Sequence, residues 1–491
     1  MYLSQKTKKL IAIIVTTILL VLVAAGIFWD IFFLREKYFP TKYTLELELE
    51  PDKARVSVQE KIVYYNQGDS PLSEIWLNFY PNAFNDKSKP LPCCKEELPT
   101  AYPYGVNYGK ADFQSLTCDN ISNWSFDSAR NIVIIQLAIA LPPSEKVTIS
   151  ATFHLTLPVT TLRYGMNESA IMLTNFYLQV PPLSNGKWQI YDYFAIGDPF
   201  FNECADYAVS YRLPQGYRAV NSGSYTEYEQ NHKTYVFAEC KNIRDFSIVM
   251  SKVASKKAIT FGNLQLSYLY TFDLAPDKTM EQIKSALSTF STLYGEYGYN
   301  TFSVAKIPFV AGGMEFGTMI YISDELAEDM QETVIAHETA HQWWYGMVGT
   351  NPIVQPWLDE GLTEFSVYQY YLTNNNIAAA TKYIASAQSA YDDYLTAKLA
   401  SSGQEVDKMQ FHFPLDKYSD NFDYTNICYN KSLLLWRDAQ NYMTTKKLNK
   451  ALTTIAKDCR YKVVNSQIVF DYLDKTKSKT SQHLNNWIGK F

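Results

Sequence analysis

The chain has 491 residues, of which 47% are hydrophobic, 15% aromatic and 19% charged. That excludes a disordered or collagen-like protein, and it is too long for one ordinary domain. Forty-four Lys and Arg against 50 Asp and Glu leave a net charge of −6, which argues against a nucleic-acid binder, and seven cysteines are too few for a disulfide scaffold.

The first element in chain order is apolar. Leu10 to Trp29 carries no charge, and at about 1.5 Å per residue a helix of that length crosses a hydrocarbon core of about 30 Å. Lys6, Lys8 and Lys9 precede it and Trp29 closes it, so the positive-inside rule sets the N-terminus in the cytoplasm and the rest outside. The competing reading is a signal peptide cleaved near Val23-Ala24-Ala25. Apolar residues continue through Ile31, Phe32, Phe33 and Leu34, which favours an uncleaved anchor over residues 1–35, in the cell membrane.

From Tyr43 the sequence alternates, with Tyr43, Leu45, Leu47 and Leu49 against Thr44, Glu46, Glu48 and Glu50, one apolar and one wet face of a strand. Similar runs at 56–65, 131–137, 147–155, 207–213 and 234–238 are separated by turn signals such as Asn66-Gln67-Gly68-Asp69. Residues 36–255 therefore read as an all-β, sandwich-like domain, with 85–130 as a long surface loop. After 256 the period becomes helical. Pro276 opens a helix to about 297, and further helices are expected at 327–346, 356–373, 376–399 and 427–442, with strands at 303–307 and 318–322. Residues 256–491 thus form a helix-rich second domain.

The chemistry concentrates in that second half. His337-Glu338-Thr339-Ala340-His341 is an HExxH motif within a helical segment. Positions four apart share a helix face, so both imidazoles can reach one ion. Glu360 opens the next predicted helix, with Pro356 at its start. A His337, His341 and Glu360 set with one open position is the donor set of hydrolytic zinc, one Zn²⁺ per chain. Glu338, between the ligands, is left to take a proton from the attacking water and pass it to the leaving group. Glu364, one turn after Glu360, either orients a ligand histidine or is an ordinary solvated carboxylate.

These residues carry a resemblance. HETAH followed by Glu360 in Trp357-Leu358-Asp359-Glu360-Gly361 resembles the gluzincin pattern of the M1 family of zinc aminopeptidases. Gly312-Gly313-Met314-Glu315 is similar to the family's GxMEN exopeptidase motif, and Tyr429-Asn430-Lys431-Ser432 to the segment carrying its catalytic tyrosine. The β-rich half resembles the family's saddle-shaped N-terminal domain. After the membrane helix read from Leu10–Trp29, the resemblance implies an all-β saddle and then a thermolysin-like zinc peptidase domain, an α+β multidomain protein. It implies that Glu315 holds the substrate's α-ammonium group, that Gly312, Gly313 and Met314 line the substrate, and that Tyr429 donates a hydrogen bond to the oxyanion. The family's large C-terminal helical domain is expected to be absent, leaving a more open cleft. Phe316, Asp359 and Ser432 depart from the family pattern, where Asn, Asn and Gly are usual.

The function expected is an extracytoplasmic, membrane-anchored zinc aminopeptidase acting on peptides with a free N-terminus. A thermolysin-type endopeptidase is the alternative, encouraged by Phe316 and the open cleft. A non-catalytic surface binding protein is the third reading, and the presence of Glu338 speaks against it.

Overall fold

A computed structural model of the chain describes residues 39–86, 91–127, 131–231, 233–402, 411 and 413–488. The expected membrane segment Leu10–Trp29 lies outside these residues. Among the described residues, no helix is long and apolar enough to cross a membrane.

The alternation from Tyr43 becomes the strand Lys42–Glu50, whose buried side chains are Tyr43, Leu45, Leu47 and Leu49. It pairs antiparallel with Arg55–Tyr65 and parallel with Ala205–Leu213. These are central strands of a seven-stranded sheet, ordered Ser224–Gln230, Lys233–Ile243, Ala205–Leu213, Lys42–Glu50, Arg55–Tyr65, Lys146–Thr156 and Lys110–Cys118. A three-stranded sheet, with Ile132–Leu141 between Leu72–Asn78 and Ile121–Asp127, shares its apolar core. The stretch 85–130 is therefore not one long loop. It holds the strands Lys110–Cys118 and Ile121–Asp127 and a helical turn at Leu98–Ala101. Lys110–Cys118 is an edge strand with Leu116 as its one buried residue, so it lacks the apolar alternation by which strands are recognised.

From Ser255 the strands pair differently. Ser255–Phe261, Leu264–Tyr270, Thr301–Ile307, Met319–Ser323 and Gly313–Phe316 form a five-stranded sheet in that order. Its three middle strands run parallel, and Gly313–Phe316 closes one edge antiparallel. Among the described residues, eight helices of nine residues or more follow or interleave: α1 (Pro276–Tyr294), α2 (Glu328–Ala340), α3 (Pro356–Thr373), α4 (Ile377–Ser402), α5 (Ser432–Met443), α6 (Thr445–Asp458), α7 (Ser466–Thr476) and α8 (Thr480–Ile488). One large apolar core joins them to the sheet. The protein is thus a mixed α+β molecule with a β-rich first part and a helical second part.

Two predicted helices are shorter than the sequence suggests, for the same reason. After Ala340 the chain widens into a π-helical turn, Gln342–Met347, with the amides of Gly346 and Val348 donating to carbonyls five residues back. Before α5 it does so again over Thr425–Lys431, and the Ser432 hydroxyl donates to the Ile427 carbonyl at 3.1 Å. Such turns displace side chains relative to a regular helix and recur at functional sites. Here the first follows the two motif histidines and the second contains Tyr429.

Candidate active site

Helix α2 presents His337 and, at its end, His341 on one face; their Nε2 atoms lie 3.1 Å apart. Helix α3 starts with Pro356 in its first turn, where the missing amide hydrogen costs nothing, and brings Glu360 to the same point. Glu360 Oε2 is 3.3 Å from His337 Nε2 and 3.5 Å from His341 Nε2.

The other ring nitrogens are engaged. His337 Nδ1 lies 2.9 Å from Glu364 Oε1, and His341 Nδ1 lies 3.2 Å from Thr363 Oγ1. These partners favour the tautomers that leave both Nε2 lone pairs turned inward. Glu364 is itself held by Tyr383, whose hydroxyl donates to Oε2 at 2.6 Å.

Glu360 Oε2 is buried with no hydrogen-bond donor, while Oε1 accepts from Tyr429 at 2.7 Å and from Tyr424 at 3.5 Å. A buried carboxylate oxygen left bare beside two inward-facing imidazole nitrogens fits a divalent cation. Two nitrogens and one oxygen suit zinc.

Around this point the chain gathers further acids. Glu315, Glu338 and His341 form a second close group. Glu315 is 6% exposed; burial pushes its pKa well up, His341 opposes, and Asp198, Glu338 and Glu360 add to the rise. Burial likewise pushes Glu338 up to about 7, against the pull of His337 and His341.

Gly313 faces Glu338: a Cβ there would stand 2.6 Å from Glu338 Cγ. The glycine is thus required by the catalytic-motif glutamate itself. Gly312 is under no such pressure, its nearest side-chain atom, on Val334, being 3.6 Å from an added Cβ. Met314 points away from Gly313 and Glu315 and is buried in an apolar cluster with Phe316, Met319 and Tyr321. Its side chain therefore stands on the face of the strand opposite Glu315. Phe316 packs at 4.7 Å against the Tyr321 ring in that cluster.

The strand and helix that carry these groups are pinned together. Gln342, next to His341, donates to the Phe316 carbonyl at 3.0 Å and accepts from the Thr318 amide at 3.1 Å. Asp245, from the β-rich part, accepts from the Gly317 amide at 2.9 Å and from the Tyr345 hydroxyl. Arg244 beside it donates to the carbonyls of Tyr345, Asn202 and Lys462.

Tyr429 stacks nearly parallel on His337, ring centres 5.8 Å apart. The departures from the family pattern find room. Asp359 accepts from Thr350 at 2.8 Å and from the Glu360 amide at 3.0 Å. Ser432 sits so close to Gly361 that a Cβ there would fall 2.5 Å from its own, so α3 and α5 meet through small residues.

Sequence reasoning missed Asp198 and Arg163. Gly197, at φ +69°, lets its segment press on Tyr424, whose ring carbon would stand 3.0 Å from an added Cβ. That brings Asp198 into electrostatic reach of Glu360 and His341. Arg163 Nη1 pairs with Asp198 Oδ1 at 2.9 Å and stacks 5.2 Å over Phe200. No local spacing announces a pair that only the tertiary fold assembles.

A buried two-histidine, one-glutamate site with a glutamate between the histidines is that of a zinc metallopeptidase. Residues 274–488 match the Peptidase family M1 domain. Solved structures of similar fold include an M1 zinc metallopeptidase from Deinococcus radiodurans, at 15% identity and TM-score 0.64, covering 92% of this chain and 94% of that one. A mutant of the D. radiodurans enzyme bound to a Tyr-Ser-Ala substrate aligns at 13% identity and TM-score 0.63, over 91% and 94%. A two-domain M1 zinc metallopeptidase mutant bound to L-arginine aligns at 15% and 0.64, over 92% and 94%. Among curated proteins none matches by sequence.

Proposed function

We propose that this zinc metallopeptidase is an aminopeptidase that removes single residues from the N-termini of peptides. The observation that carries the reading is the buried carboxyl of Glu315, grouped with Glu338 and His341. A substrate α-ammonium docked on Glu315 relieves the mutual repulsion of these acids and sets the first peptide bond beside Glu338.

Zinc held by His337, His341 and Glu360 supplies a Lewis acid for the scissile carbonyl. Glu338 takes a proton from the attacking water on its carboxylate and delivers it to the departing amine. Its Oε2, buried and without a hydrogen-bond partner, is the atom free for that transfer. Tyr429 Oη is the donor to the oxygen that gains negative charge. Glu364 and Thr363 keep the imidazoles oriented, and the edge strand Gly313–Phe316 offers main chain to the peptide. Sequence pattern supports export as well: the apolar Leu10–Trp29 segment after Lys6, Lys8 and Lys9 would anchor the enzyme with this domain outside the cytoplasm.

The test uses one peptide in two forms, free and N-acetylated, with products followed by mass spectrometry. Stepwise loss of residues from the free form alone is expected. Internal cuts in both forms would instead make the enzyme an endopeptidase of thermolysin type.

A further inference from the structure

Among the described residues, four exposed apolar side chains lie on two segments held together by hydrogen bonds: Tyr104 in a turn that ends at Gly105 (φ +90°), Val106 and Tyr108 on either side of Asn107, and Val159, whose peptide group Asn107 holds, each between 37% and 71% exposed. A flexible loop would fold such groups away from water; this one is held open. The Asn107 side chain bonds both faces of the Val159 peptide group, donating to its carbonyl at 2.7 Å and accepting from its amide at 2.6 Å. The Gly109 amide donates to the Phe84 carbonyl at 2.8 Å, and the Tyr104 hydroxyl to Glu168 at 2.9 Å. Apolar surface kept rigid and wet marks a place where something binds.

Main-chain hydrogen bonds tie the platform's segments to the stretch that leads into the active-site strand. The strand Gly313–Phe316 is the edge of its sheet, so one side of its main chain is unpaired within that sheet. A peptide with its ammonium on Glu315 and its first bond at Glu338, opposite Gly313, runs antiparallel to this strand toward Gly312 and Val310. The Val310 amide donates to the Thr161 carbonyl at 3.0 Å, and Thr161 in turn bonds the Ala101 and Thr100 carbonyls. Two residues before Thr161 stands Val159. At about 3.3 Å per extended residue, the path from Gly313 to Val159 is on the order of 15–20 Å, so substrate residues from about the fifth onward reach the platform.

We propose that Tyr104, Val106, Tyr108 and Val159 form a secondary binding surface for the downstream residues of the peptide substrate, taking apolar side chains at about positions five and six. This rests on the aminopeptidase reading and names its substrate class: extended peptides of five or more residues, favoured over di- and tripeptides. Four side chains are far fewer than the roughly 20–30 residues a side of a stable interface, and the main-chain link through Thr161 and Val310 to the edge strand is what assigns them to the substrate.

The test uses the full chain with zinc and three peptides sharing their first three residues: the tripeptide, a heptapeptide with Leu and Phe at positions five and six, and the same heptapeptide with Ser at both. The apolar heptapeptide is expected to show KM about tenfold below the other two at similar kcat, the gain from partly burying one or two apolar side chains. The double variant Val106→Ser, Tyr108→Ser should erase that difference while leaving kcat/KM for the tripeptide unchanged. Equal KM for all three peptides in the wild type, or a variant that keeps the preference, overturns the surface alone. Failure to remove the first residue from any of them overturns the aminopeptidase reading and the surface with it. A variant whose sedimentation changes while every KM stays fixed assigns the patch to contact between copies, and overturns the proposal.

Discussion

The two parts of the molecule bury carboxyl groups on opposite terms. Glu60 lies 3% exposed in the core of the seven-stranded sheet. Its Oε2 accepts one hydrogen bond, from the Leu178 amide at 3.0 Å, and its Oε1 has none. Burial dominates and pushes its pKa well up, with no cation to oppose it. Glu360 is as deeply buried, yet its carboxyl is held below the usual range: burial works against ionisation, and the imidazoles of His337 and His341 beside it outweigh that. A buried acid without a cation neutralises itself; one with two imidazoles and two tyrosines stays an anion. Burial alone therefore does not mark a functional carboxylate. What marks it is a set of partners that only the charged form can satisfy.

The sharpest way to break this contrast is to remove Glu360. Glu360→Ala should bring bound zinc well below one ion per chain and abolish turnover, because the third donor is gone. Zinc content by atomic emission and activity would then fall together. Glu338→Gln separates the roles. Zinc should stay near one per chain while kcat falls by roughly 10³-fold, the scale of a lost general base. A Glu338→Gln protein that loses its metal would place Glu338 among the ligands instead.

A somewhat smaller effect is expected at Tyr429. Its hydroxyl has two candidate duties: it donates to Glu360 Oε1, and in the proposed mechanism it donates to the developing oxyanion. Tyr429→Phe should lower kcat by about 10²–10³ with KM and zinc content little changed if the second duty dominates. Weakened zinc retention with kcat preserved at saturating metal would assign Tyr429 to holding the ligand.

How much of this was legible beforehand depends on whether the signal was local. His337 and His341 are four apart on one helix, and Glu360 opens the next, so their convergence follows from the helical repeat. The alternation at Tyr43–Glu50 is visible for the same reason, since a two-residue period sorts its side chains into buried and wet faces. Lys110–Cys118 was misread because an edge strand buries so little that no period is imposed on it. Asp198 reaches the site through Gly197's approach to Tyr424, a contact between segments more than 200 residues apart, and nothing in its neighbourhood encodes it.

Glu60 supplies the gentlest test, on stability alone. Its pKa in the folded chain is raised above the unfolded value, so the folded state holds a proton that the unfolded chain releases once pH passes the ordinary glutamate range near 4.5. The folded protein is therefore favoured below that range, and the advantage is lost as pH rises toward the folded pKa. Glu60→Gln removes this titration while keeping the shape. At pH 5 the variant should unfold within about 1 kcal/mol of the wild type, and by pH 8 the difference should have moved in the variant's favour, with kcat unchanged at both. A wild type that instead gains on the variant as pH rises would mean that Glu60 is an anion after all. A cation would then have to lie beside it, and the distinction between the two buried acids would fail.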